Sequence, residues 1–110
     1  MTALSFSAVN AINPILLQVG IIDPETTQDN PQRAPIARPG INLAGHTLYF
    51  NNVGNDLVLV LLDEEGEETY TTLVLTGTTT VVLPSSLSGD YQLQLYSAVS
   101  IYYFYADVTL

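Results

Sequence analysis

His46 is the only histidine in a chain of 110 residues that has no cysteine and no lysine. It is therefore the one side chain whose ordinary pKa suits proton transfer near neutral pH. A Ser–His–Asp arrangement would have to join it to Ser85, Ser86, Ser88, Ser97 or Ser100. All of these lie in turn-like stretches, and none sits in a nucleophile elbow. Thiolate nucleophiles, thiolate metal ligands and lysine Schiff bases are excluded outright. The sequence predicts no catalytic residue, no enzyme, and a solvated His46 beside Gly45.

Two other groups could do chemistry. Asp63, Glu64, Glu65, Glu67 and Glu68 cluster carboxylates of the kind that hard cations take. They lack the alternating Asp/Asn spacing of a calcium loop, and adjacent carboxylates on a hairpin mostly point apart. A solvated turn that discourages edge pairing is the expected outcome, with no metal and no cofactor. The tyrosines are the other group, seven in all. Ile101 to Leu110 holds four consecutive aromatics, Tyr102 to Tyr105, and reads as a strand. Alternation puts Tyr102, Phe104, Ala106, Val108 and Leu110 on one face and Tyr103, Tyr105, Asp107 and Thr109 on the other.

Composition limits what can position these groups. An apolar content of 47% with only 12% charged residues describes a compact globular chain. Two arginines against eleven carboxylates give a net charge of −9, which repels phosphate backbones and anionic membrane surfaces. Nucleic acid is not expected as a partner. No apolar run reaches the ~20 residues of a membrane span, so no insertion is expected either. Met1 to Ala11 is mildly apolar and ends in Val9-Asn10-Ala11, which has the look of a signal-peptidase site but lacks a basic leader. An exported protein with an incomplete leader is the expectation.

Residues 1–39 read as an apolar N-terminal segment, with Ile12 to Ile22 too apolar to leave in water, followed by a proline-rich linker. Pro24, Pro31, Pro35 and Pro39 bias their surroundings to extended geometry and exclude helix. From Gly40 onward short apolar runs alternate with turn signals at the spacing of an all-β sandwich. The expected strands are Ile41–Leu43, Thr47–Phe50, Leu57–Leu62, Thr69–Leu75, Thr79–Leu83, Tyr91–Tyr96 and Ile101–Leu110. Leu57 to Leu62 is unbroken apolar sequence, as in a strand buried on both faces. The stretch from Pro84 to Leu95 crosses the sandwich and opens the next strand with Tyr91, a placement that suits a tyrosine corner.

Ile21-Ile22-Asp23-Pro24 and Asn30–Ile36 resemble the lead-in of a family of short exported Bacteroidetes proteins. The resemblance continues through Leu61–Glu67, Leu83–Tyr91 and Tyr102–Tyr105. It implies an immunoglobulin-like sandwich, a location outside the cytoplasm and no assigned activity. Ala106-Asp107 departs from the glycine and aromatic that the resemblance would place there, and the basic leader is missing. The fold expected is an all-β, immunoglobulin-like antiparallel β-sandwich of about seven strands over residues 40–110, with an extended N-terminal segment.

In such a sandwich the strand Leu57–Leu62 shares a sheet with the last two strands. With Leu57, Leu59 and Leu61 inward, Val58, Val60 and Leu62 face outward beside Gln92, Gln94, Tyr96, Tyr103 and Tyr105. An apolar and aromatic patch of that extent is rarely bare on a monomer. Its cover would be the N-terminal segment, folded back or added as an edge strand, or a second copy through a swapped or symmetric dimer. The expected function is a non-enzymatic, exported interaction or adhesion-type module, periplasmic or on the cell surface. The alternatives are a carbohydrate-binding module using Tyr96, Tyr103 and Tyr105, and a subunit of a surface assembly built by strand exchange.

Overall fold

The computed structural model describes residues 12–21, 38–98 and 100–110. The leader-like stretch 1–11 and nearly all of the proline-rich linker lie outside the described residues. Nine strands follow in order: β1 (Asn13–Ile15), β2 (Gln18–Ile21), β3 (Gly40–Ala44), β4 (Thr47–Asn51), β5 (Leu57–Leu62), β6 (Glu68–Val74), β7 (Thr80–Val82), β8 (Asp90–Tyr96) and β9 (Tyr102–Thr109). They form two antiparallel sheets, β1-β3-β4-β7 and β2-β9-β8-β5-β6. Strands β3 to β9 are the sandwich that the residue pattern predicts. The two beyond that count come from the apolar N-terminal segment.

That segment is divided between the sheets. Ile15 pairs with Ile41 at the edge of the four-stranded sheet, and Gln18 to Ile21 pair with Tyr105 to Tyr102 at the edge of the other. Leu16 and Leu17 bridge the two. Leu17 drops into the core at 3% exposure, while Leu16 stands out at 81%. Ten residues thus extend both layers and add one core side chain where the chain crosses.

The core follows from alternation. Leu57, Leu59 and Leu61 of β5, Leu93 and Leu95 of β8, and Phe104 of β9 are buried against Leu43, Leu48 and Phe50 of the facing sheet. The unbroken apolar run of β5 is not buried on both faces, because Val58 and Leu62 are half-buried on the outer side. Among the described residues no further layer covers that side; neighbouring side chains do. A bulge between Leu61 and Leu62 leaves Thr69 of β6 as the extra residue, and its hydroxyl donates to the Leu61 carbonyl at 3.1 Å.

Turns take the residues their backbone needs. Asn52, at φ 62°, is the one described non-glycine residue with positive φ, and Gly66 at φ 82° closes the β5–β6 hairpin. The Asp56 carboxylate accepts the Thr76 amide at 2.7 Å and the Thr76 hydroxyl at 2.8 Å, tying the start of β5 to the end of β6. Those bonds hold its pKa below the ordinary 3.8. His46 is not simply solvated: it is half-buried, with Nε2 2.7 Å from the Leu87 carbonyl oxygen. The ring pins the crossover that follows β7 to the β3–β4 turn, where the Leu83 amide also donates to the His46 carbonyl at 2.7 Å.

Candidate functional site: the outer face of the five-stranded sheet

Register arranges the outer face of this sheet in rows. One row runs Leu73, Val58, Tyr96, Tyr103 and Gly20 across all five strands. The next runs Thr71, Val60, Gln94, Tyr105 and Gln18, and a third carries Leu62, Gln92 and Asp107. The strands therefore bring Val58, Val60, Leu62, Gln92, Gln94, Tyr96, Tyr103 and Tyr105 together on one surface. The face changes character along the strands, from apolar and aromatic through amide to acidic.

The aromatic end is held from within. Tyr96 and Tyr103 stack with ring centroids 5.0 Å apart and planes at 21°, and Tyr105 lies 5.7 Å from Tyr103 at 36°. Beneath the phenol end of Tyr103 lies Gly20. A β-carbon at that position would come within 2.6 Å of the ring. Gly20 has no positive φ, so what glycine provides here is space for the phenol end of Tyr103 and not a special backbone conformation. A tyrosine across from an edge glycine covers backbone that would otherwise be bare.

A chain of side-chain hydrogen bonds runs down β8. The Tyr96 hydroxyl donates to Gln94 Oε1, and Gln94 Nε2 donates to Gln92 Oε1 at 2.7 Å. Gln94 is only 8% exposed and Val60 only 9%, although both face outward. The rings and amides on either side shield them. Burial disfavours the Tyr96 phenolate and nearby Tyr103 adds to the effect, so the Tyr96 pKa is pushed above its ordinary 10.0.

At the acidic end an open cleft of about 540 Å³ is lined by Leu62, Asp63, Glu64, Asp90, Gln92 and Asp107 among others. Beside it Asp63, Glu65 and Glu67 place one carboxylate oxygen each within 4.8 Å of one another. Alternate carboxylates of this turn converge. The turn explains this, because one Asp63 oxygen accepts the amides of Glu65 and Glu67 at 2.9 Å each. Tyr91 opens β8 from the same end. Its hydroxyl donates to the Ser88 carbonyl at 3.0 Å and receives the Ser88 amide at 3.2 Å, the backward bond that defines a tyrosine corner.

Two members of the aromatic row are absent from the residue-level reading of the patch. Leu73, 64% exposed, ends the row on β6, and Gly20 ends it on β2. Hairpin pairing of the strands before and after the acidic turn could have found Leu73. For Gly20 the signal is a lone glycine inside an apolar run, which marks close approach by another group.

No protein-family model matches the sequence, and no curated protein does. Among solved structures the chain is similar to the crystal structure of a DUF3244 family protein with an immunoglobulin-like β-sandwich fold from Bacteroides vulgatus ATCC 8482. The TM-score is 0.61 at 14% identity, over 91% of this chain and 99% of that one. The likeness shows the fold, an immunoglobulin-like β-sandwich. No helix among the described residues is long and apolar enough to cross a membrane.

Proposed function

We propose that this chain is a non-enzymatic protein-interaction module that works outside the cytoplasm, with the outer face of the five-stranded sheet as its contact surface. The observation that carries the reading is the row Leu73–Val58–Tyr96–Tyr103, an apolar and aromatic band running uninterrupted across the sheet. Side chains of this kind, rigid and able to desolvate at little entropic cost, are those that dominate protein–protein contacts. The rim below the band is amide and then acidic, so a partner with an apolar centre and a basic margin fits it. The family resemblance of the sequence supports the extracytoplasmic setting.

A sugar-binding role for Tyr96, Tyr103 and Tyr105 fits the geometry less well. Tyr103 is engaged from two sides, by Gly20 and by the Tyr96 ring, and the Gln94 amide is spent within the β8 chain. A sugar platform needs a free ring face and unspent polar groups beside it. A photoreactive residue at Leu73, with one at Tyr49 as control, separates the readings in producing cells. Tyr49 is also exposed but lies on the other sheet. Protein captured from position 73 and not from position 49 is the expected result. Equal capture from both, or binding on a glycan array that Tyr96→Ala abolishes, would overturn the proposal.

Strand exchange is a second reading with an observation of its own. Residues 12–21 supply edge strands to both sheets, and Leu17 is their one buried side chain. Residues 22–37 connect them to β3, a length that permits donation to a neighbouring copy. Adding a peptide of residues 12–21 to a chain beginning at residue 22 tests it. Restored melting temperature supports exchange, and no change counts against it.

A further inference from the structure

The described strands leave four sheet edges, and they are not equally defended. β1 is three residues long and contains Pro14, β7 is three residues long, and β2 is four residues long with Gly20 inside it. Short edges and proline are ordinary devices against pairing with another chain. β6 is seven residues long, and after the bulge at Thr69 it continues as Tyr70-Thr71-Thr72-Leu73-Val74. That stretch has no charge, proline or glycine, and its types are those most favourable to strands. The usual edge guard, lysine, is absent from the whole chain.

The geometry points to β6 as the seat of a two-fold dimer, in which a second copy of this chain adds its own β6 antiparallel to form one continuous ten-stranded sheet. The self-complementarity is in the sequence. Antiparallel pairing centred on Thr72 sets Thr72 against Thr72, Thr71 against Leu73 and Tyr70 against Val74 of the second copy. Threonine–threonine and aromatic–β-branched pairs are among the favourable cross-strand combinations. A closed two-fold arrangement needs such a self-matching surface.

Charge selects the same arrangement. The chain carries a net charge of −9, with Asp63 to Glu68 in the hairpin next to this edge. Parallel pairing would set the two acidic hairpins side by side. Antiparallel pairing about Thr72 puts Glu67 and its counterpart ten residues apart, roughly 33 Å at strand rise. That is several Debye lengths at physiological salt. The pairing also sets each Leu73, the exposed end of the outer apolar row, against Thr71 of the other copy. A five-residue ladder buries less than the ~1,200 Å² of a standard interface, so the dimer is weak and forms at high local concentration.

The surface concerned is the edge of β6 and not the face proposed above as the contact surface, and its test leaves Leu73, Tyr96 and Tyr103 untouched. Sedimentation equilibrium of the full chain over a wide concentration range should show a shift from 11.9 kDa towards twice that mass. Thr72→Lys, which sets cation against cation at the centre of the proposed ladder and lies outside the outer apolar row, should leave a monomer with unchanged circular dichroism. Because the chain lacks cysteine, Thr72→Cys provides a second measurement. Facing residues approach disulfide reach, so this variant should cross-link under mild oxidation at least tenfold faster than Val82→Cys on the opposite sheet. A chain monomeric at every concentration, or equal cross-linking of the two variants, would refute the dimer. So would a dimer that persists in the folded lysine variant, which would place self-association at the outer face or in exchanged N-terminal strands.

Discussion

At the scale of single residues the aromatic end of the sheet rests on a glycine. Gly20 leaves the space that the phenol end of Tyr103 occupies, and Tyr103 is the ring on which Tyr96 stacks. Alanine in a strand is normally better than glycine by about 0.5–1 kcal/mol. Gly20→Ala should instead destabilise the protein by about 1–3 kcal/mol, the range for overpacking, because the ring is held between the new methyl and Tyr96. In a Tyr103→Ala background the same substitution should become neutral or stabilising. Urea denaturation of the four chains measures the coupling, and additive effects would mean that the ring swings away freely. Tyr96 carries a pH signature. Its pKa is raised above 10.0, chiefly by burial, so the folded state favours the neutral phenol. That contribution to stability is complete below pH 10.0 and is lost as the pH rises through the folded value. Tyr96→Phe keeps the stack and removes the titrating group. Its melting temperature should therefore fall less steeply across the alkaline limb, and a phenol titrating above 10.0 should vanish from the near-ultraviolet titration.

At the scale of elements, the ten N-terminal residues matter through one side chain. Leu17 is buried at the crossing between the sheets, and its neighbour Leu16 is almost fully exposed. Leu17→Ala should cost about 2–5 kcal/mol, the range for large-to-alanine changes in a core. Leu16→Ala should stay within about 0.5 kcal/mol of wild type. Thermal melts compare the two directly, and equal effects would mean that β1 and β2 detach without loosening the core. How far the fold can be read from the sequence differs between elements for the same reason. In β5, β8 and β9 a period of two and one buried face specify which side chains share the outer surface, so Val58, Gln94 and Tyr105 are legible as neighbours from parity alone. Burial on that outer surface is not legible, because Gln94 and Val60 are shielded by rings and amides whose conformations depend on contacts across strands. β1 and β2 are too short for periodicity to register, and a chain that changes sheets between Ile15 and Gln18 breaks alternation at that point. The His46–Leu87 bond joins residues 41 apart in sequence, and nothing local announces it. The convergence of Asp63, Glu65 and Glu67 is likewise a product of the turn wrapping one carboxylate, which composition reads only as acidity.

At the scale of the whole molecule, the lack of lysine couples solubility to association. A net charge of −9 keeps copies apart in dilute solution and compensates for an edge strand that has no guard of its own. The proposed dimer must therefore form against long-range repulsion, while its ladder is made of uncharged pairs that salt does not weaken. Repulsion between like-charged molecules falls as the Debye length shrinks, from about 30 Å at 0.01 M to about 8 Å at 0.15 M ionic strength. The association constant should rise over that interval, by about tenfold or more given the squared dependence on charge. This is the reverse of the behaviour of a charge-matched complex or a nucleic-acid binder, which salt weakens. Sedimentation equilibrium at the two ionic strengths reads the sign directly. Tighter association in salt is the outcome that an edge of neutral residues on an acidic molecule demands. Weaker association would mean that the copies meet through Arg33 or Arg38, the only basic side chains the chain has to set against a carboxylate.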